Sequence, residues 1–219
     1  GVGMTKAAAA AGGFPTTGSL LSLNPANLAT MFQTVAGATA VAADADPVGT
    51  MNANNGNGFD LTSPAATHVR PVYKTDTVLH WLEADGNTVL HRLAELTMYS
   101  GGQCTICLAV RRDGTTTGSV VSEGWSLGNG FYAPTRANAT DFNDIQVTYR
   151  ADSGALPLNN VILYDEGWPV NTDVSLIITD TGSVMTAYLD GAAGTPANYT
   201  RLSTTIDRFS VFTRDRGTF

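Results

Sequence analysis

From Val78 to Thr213 the chain alternates short apolar runs with clusters of turn residues, and this punctuation narrows the choice of fold more than any other feature. The runs are Val78 to Leu82, Thr105 to Arg111, Ser119 to Ser122, Ile145 to Tyr149, Asn160 to Leu163, Val174 to Thr179, Val184 to Leu189 and Phe209 to Thr213. Short β-rich runs separated by Gly, Asn, Asp and Ser predict antiparallel strands in a sandwich or barrel. The clearest pair is the hairpin from Asp173 to Gly191, where both arms are β-rich and Asp180-Thr181-Gly182 supplies a turn whose glycine can take positive φ. No repeat of fixed period runs through the chain.

The 219 residues suit one large all-β domain. Hydrophobic residues make up 43% and charged residues 14%, so the polar surface is expected to be built of Thr, Ser, Asn and Gly. Twelve basic residues against nineteen acidic ones give a formal charge of −7, which repels phosphate backbones and anionic headgroups. Nucleic acid and membrane surfaces are therefore not expected partners. No stretch approaches the roughly 18 to 20 consecutive apolar residues that span a bilayer.

Residues 1–19 read as a Gly- and Ala-rich lead, either a processed end or a flexible tether, and 20–219 as a single domain. Near its start, Leu23 to Gln33 predicts one short helix. Asn24 can cap it, Pro25 suits its first position, and Leu28, Met31 and Phe32 share a face at helical spacing. At the other end the chain stops at Phe219, directly after the strand Phe209 to Thr213. A sheet edge would be left to cover, so the domain is expected to be truncated there, to fold back, or to borrow a strand from another subunit.

The segment Asp46-Pro47-Val48-Gly49, followed by Asn54-Asn55-Gly56-Asn57-Gly58 and then Val69-Arg70-Pro71-Val72-Tyr73, places a short strand, a tight loop and a second extended segment in one window. Asn and Gly tolerate positive φ, and Asn also bonds its own backbone, which is reason enough for a compact loop. The same residues offer oxygen ligands to a hard cation: Asp46, Asn52, Asn54, Asn57 and Asp60 would suit Ca²⁺. Their spacing matches no EF-hand, and an Asn-Gly loop needs no metal to form. No other cofactor is expected. The two cysteines, Cys104 and Cys107, fall in an apolar strand whose alternation sends them to opposite faces. They are expected to be reduced, buried and structural rather than a redox pair or a zinc site.

Taken together, Asn24 to Gln33, Asp46-Pro47-Val48-Gly49, Asn55-Gly56-Asn57-Gly58 and Arg70-Pro71-Val72 resemble a block found in phage, prophage and gene-transfer-agent structural proteins, where it precedes a concanavalin A-like (laminin G-like) jelly-roll domain. Trp81 to Gly86 looks like that domain's strand ending in an Asp-Gly turn, Cys104 to Arg111 like its central apolar strand, and Val184 to Gly191 like the strand ending in Leu-Asp-Gly. The chain departs from the pattern where Asn24, Asn27 and Asn55 replace residues usually acidic or Ser. The resemblance implies an all-β, concanavalin A-like jelly-roll β-sandwich with one short N-terminal helix. It further implies a virion protein on the capsid or tail surface, such as a fibre, spike or decoration subunit. Its expected partners are other virion proteins, copies of itself in a homo-oligomer, and host surface glycans.

Because the fold class includes glycosidases, the carboxylates bear on whether the chain is an enzyme. Glu83-Ala84-Asp85-Gly86-Asn87-Thr88 begins the E-x-D-x-x-E arrangement of the laminarinase-like branch and then fails, with Thr88 where the second Glu is needed. Glu123-Gly124-Trp125 and Asp165-Glu166-Gly167-Trp168 each set a carboxylate beside an indole. Trp125, Glu123, Asp165, Glu166 and Trp168 are thus candidates for glycan binding, since the ring can stack on a sugar and the acid can accept from its hydroxyls. Each tryptophan could equally pack the sandwich edge. A non-enzymatic role is expected, the alternative being a polysaccharide depolymerase using Glu123, Asp165 or Glu166.

Overall fold

A computed structural model describes residues 2–3, 19–64, 69–76, 78–85, 88–96, 102–112, 119–124, 130–135, 145–150, 159–164, 169–200 and 206–212. Among the described residues no helix is long and apolar enough to cross a membrane. The N-terminal part contributes short strands: β1 (Val2–Gly3), β2 (Met31–Phe32), β3 (Thr50–Met51) and β4 (Leu61–Thr62). After them come β5 (Val72–Thr75), β6 (His80–Glu83), β7 (Leu90–Arg92), β8 (Cys104–Arg112), β9 (Val121–Gly124) and β10 (Gly130–Thr135). The rest are β11 (Ile145–Arg150), β12 (Asn159–Tyr164), β13 (Asp173–Asp180), β14 (Val184–Leu189), β15 (Ala192–Ala193), β16 (Ala197–Asn198) and β17 (Arg208–Val211).

These strands form an all-β sandwich of two larger sheets and a hairpin. Among the described residues one sheet has nine strands in the order β12-β11-β10-β9-β17-β7-β4-β3-β2. The second runs β1-β8-β13-β14-β15, with β16 also on β14, and β5 pairs β6 alone. Every ladder pairing is antiparallel, so hairpin turns and returning connections suffice to join the strands. Each run singled out in the sequence overlaps a strand.

The smaller sheet shows why the pattern specifies it. Along β8, Ile106, Leu108 and Val110 are buried, and they stand directly across from Ile178, Leu176 and Val174 of β13, which are buried too. One face is therefore a continuous apolar surface, and a one-residue slip of register would expose all of it. At about 25 cal/mol per Å², each such side chain contributes roughly 1.5–3 kcal/mol by leaving water. The expected hairpin forms, with Leu176 paired to Leu189 and Asp180 to Met185. Gly182 takes φ +95 in its turn, and the buried Asp180 carboxylate accepts from the Gly182 N–H at 2.7 Å and the Tyr199 hydroxyl at 2.6 Å.

In the larger sheet, Val121, Val211 and Leu90 form one buried cross-strand row, and Met31, Met51 and Leu61 another. Both rows belong to the same hydrophobic cluster as the buried face of the smaller sheet. Tyr73 and Leu82, paired across the β5–β6 hairpin, join it as well.

Two expectations are revised. The N-terminal helix is present only as a single 3-10 turn, Leu28–Thr30, because Met31 and Phe32 pair with Met51 and Thr50 and so leave the helical path for the sheet. Asn24 bonds the Ala26 N–H at 3.0 Å in a local turn instead of capping a longer helix. The cysteines do alternate faces, but they are not both buried: Cys104 is half-buried against the core, and Cys107 is exposed on the opposite face. Neither forms a disulfide.

Candidate functional site

The four sequence blocks of the N-terminal part interlock. Asp46 to Val48 lies antiparallel to Pro71 to Tyr73: the Tyr73 N–H donates to the Asp46 carbonyl at 2.8 Å, and the Val48 N–H to the Pro71 carbonyl at 2.8 Å. Arg70 donates to the Gln33 carbonyl at 2.9 Å, which ties the fourth block to the first. Gly49 is needed where these segments cross. A Cβ there would lie 2.6 Å from the Thr34 carbonyl carbon and 2.7 Å from the Gln33 oxygen, closer than any side chain tolerates.

The Asn-Gly loop works as a clasp. Asn55 Nδ2 donates to the Ser19 carbonyl at 2.8 Å, and Asn57 Nδ2 donates to the same carbonyl at 2.9 Å. The Asn54 N–H reaches the Ser22 carbonyl at 2.7 Å, and its side-chain oxygen accepts from Asn27. On the other side Arg92 covers the Phe59 ring at 4.3 Å and donates to the Gly58 carbonyl at 2.9 Å. Gly56 and Gly58 both take φ +70, the conformation that turns the loop back on itself. The loop thus fixes the run Ser19 to Ser22 and the β7 strand end together.

Of the residues considered as cation ligands, most have their polar groups engaged by the protein. Asp46 Oδ2 accepts from the Ala42 and Ala43 N–H groups at 2.8 and 2.9 Å, and Asp60 Oδ1 from the Ala53 N–H at 3.1 Å. Asn54 and Asn57 belong to the clasp, and the Asn52 N–H donates to the Thr30 carbonyl at 2.8 Å. Among the described residues no group of three or more His, Cys, Asp or Glu side chains is placed to hold a metal ion. The Ala42 and Ala43 bonds, in that order, hold the Asp46 carboxyl below the ordinary aspartate range. Asp44 is lowered as well, first by the Thr75 N–H and then by Lys74.

Glu123 sits in β9 between β10 and β17, directly across from Phe209, and it has no exposed surface. Its Oε1 accepts from the Leu96 N–H. The carboxylate therefore faces protein on the apolar side of the sheet. Trp125, Asp165, Glu166 and Trp168 lie outside the described residues. In the partial E-x-D-x-x-E segment, Glu83 is exposed while Asp85 Oδ1 accepts from the Thr88 hydroxyl at 2.7 Å, and that hydroxyl in turn accepts from the Asp85 N–H at 3.2 Å. The threonine that breaks the catalytic pattern closes a turn.

The β5–β6 hairpin gathers chemistry that sequence reasoning passed over. On its inner face the Tyr73 hydroxyl lies 2.6 Å from His80 Nδ1, the two rings stacked with centroids 6.0 Å apart. Its outer face carries Trp81 directly across from Lys74, with Glu83 two residues along. Lys74 Nζ is 3.2 Å from Asp44 Oδ2, and Asp44 Oδ1 accepts from the Thr75 N–H at 2.9 Å. The signal in the sequence was period two: Tyr73 and Leu82 point inward, so Lys74, Trp81 and Glu83 must point out.

No family model matches the chain, and no curated protein sequence matches it. Among solved structures, it is similar to the carbohydrate esterase of the Shiga toxin-encoding bacteriophage phi24B, with a TM-score of 0.42 and 18% identity over 69% of this chain and 81% of that one. It is also similar to the carbohydrate-binding module CBM66 of Bacillus subtilis, with a TM-score of 0.35 and 13% identity over 66% of this chain and 89% of that one.

Proposed function

We propose that this chain is a non-enzymatic β-sandwich module, of jelly-roll type, belonging to a bacteriophage-like particle and contacting host surface glycans. The observation that carries the reading is the placement of Glu123. A general acid or nucleophile must reach the glycosidic oxygen or the anomeric carbon, and a carboxylate with no exposed surface, bonded to a backbone N–H, reaches neither. The Asp85–Thr88 turn supports the same reading, since the position where a laminarinase-like arrangement needs its second glutamate holds a threonine that donates to Asp85. Assignment to a particle rests on the interlocked sequence blocks from Asn24 to Val72, which resemble those of phage structural proteins. A surface rich in Thr, Ser, Asn and Gly, on a chain of formal charge −7, suits contact with hydroxylated polymers better than with polyanions.

The test has two arms. Gold-labelled antibody against the chain should decorate purified particles, and bacterial surface polysaccharides incubated with the protein should release no new reducing ends. Absence from particles would overturn the virion assignment. Release of reducing ends that disappears in Glu166→Gln would establish the depolymerase alternative instead.

A further inference from the structure

We propose that the outer face of the β5–β6 hairpin is a saccharide-binding site, with Trp81 as the stacking platform and Lys74, Asp44 and Glu83 as the polar groups around it. The inference rests on the glycan-contacting reading above and gives it a location.

Trp81 lies on the face of the hairpin opposite Tyr73 and Leu82 and is half-buried there. Here the core face of the hairpin is filled by the cross-strand pair Tyr73 and Leu82, 2% and 1% exposed, while the adjacent pair, Lys74 and Trp81, lies on the other face. The alternation therefore sets a half-buried indole on the face away from the core, directly opposite a lysine, where an antiparallel pair brings the two Cβ atoms to about 4.5–5.5 Å and part of the ring stays accessible. Lys74 is held by Asp44, and Asp44 by the Thr75 N–H, so cation and carboxylate have fixed positions before any ligand arrives. The exposed Glu83 adds a second acceptor on the same face.

This combination selects its ligand by chemistry. A pyranose has an apolar C–H face that stacks on an indole and a rim of hydroxyls that both donate and accept. Lys74 donates, Asp44 and Glu83 accept, and one cation against two carboxylates leaves a net negative charge that disfavours a polyanion. A protein partner would call for about 800 Å² of complementary surface, whereas a ring with a few polar groups around it matches one or two sugar residues.

The experiment uses a printed array of bacterial surface polysaccharides with the full chain and three variants, Trp81→Ala, Trp81→Phe and Lys74→Gln. Wild type should bind. Trp81→Ala should weaken binding by about tenfold, Trp81→Phe should retain part of it, and Lys74→Gln should weaken it less than Trp81→Ala. The indole N–H resonance of Trp81 should shift when a bound polysaccharide is titrated in, a readout independent of whether Trp81→Ala folds well. Binding that is equal in wild type and Trp81→Ala, with no resonance shift, would place the glycan contact elsewhere and overturn this site while leaving the proposed function intact. Absence of all binding by wild type would overturn the site and the glycan half of that function, with the particle-labelling arm still deciding the rest.

Discussion

The Oε1 atom of Glu123 accepts a hydrogen bond from the backbone N–H of Leu96, joining the segment after β7 to the centre of the larger sheet. Leu96 is itself part of the buried cluster, so the bond closes the core where two distant parts of the chain meet. Glu123→Ala should leave the Leu96 N–H without this acceptor, remove packing beside Phe209, and destabilise the fold by about 2–4 kcal/mol. Glu123→Gln keeps shape and acceptor and should cost about half as much. Equilibrium denaturation of the two variants checks the order.

Gly49 should be the least replaceable glycine of the N-terminal part. Gly49→Ala drives a methyl into the backbone of Gln33, Thr34 and Val35, and overpacking against backbone should cost about 1–3 kcal/mol or more. By contrast, a Cβ at Gly56 or Gly58 meets nothing, and the cost there comes only from positive φ. Thermal melts of the three alanine variants should rank Gly49→Ala lowest.

Ala45 is a residue under conformational strain, with φ +70 between Asp44 and Asp46. A left-handed alanine costs about 1–2 kcal/mol, and glycine removes that cost at about 0.5–1 kcal/mol of chain entropy. Ala45→Gly should raise stability slightly, and a lower melting midpoint would show that the turn is not held as described.

The turn around Ala45 should also weaken in acid. The Asp44 and Asp46 carboxyls are depressed in the folded state, so the stability they contribute is present above the ordinary aspartate range and is lost as pH falls through their lowered folded values. Asp46→Asn should flatten the acid limb of a plot of melting midpoint against pH, and it should leave the neutral limb nearly parallel to wild type.

The Asn-Gly clasp predicts a response to side-chain removal rather than to chelation. Asn55→Ala together with Asn57→Ala should free the Ser19 to Ser22 run, seen as faster amide exchange there. Adding a chelator to wild type should leave the melting midpoint unchanged. A fall of several degrees would mean that Asp46, Asn52, Asn54, Asn57 or Asp60 holds a cation after all.

The legible and the hidden parts of this chain divide along the range of the interactions involved. The Asp173–Leu189 hairpin could be read directly because its alternation and its Thr181-Gly182 turn are local, and both act in the structure as the residues suggest. The stretch from Leu28 to Phe32 departs from its helical spacing because a partner about twenty residues away, Thr50–Met51, competes for it, and no local pattern reveals that pairing. Burial of Glu123 was hidden for a similar reason: a Glu-Gly-Trp sequence reads as an edge, whereas β9 lies between β10 and β17. Residue type alone predicts a buried Cys107, whereas its place in the alternation puts it outside. The grouping of Trp81 with Lys74 and Asp44 is hidden in the sequence, because these neighbours arrive from across the hairpin and from another loop.

The most direct test of the central claim is to hold the protein with a polysaccharide that it binds and to measure the length distribution of that polymer over time. The account predicts a retained complex and an unchanged distribution, in wild type and in Glu123→Gln alike. Steady shortening of the polymer by wild type, abolished by replacing a single carboxylate, would contradict it.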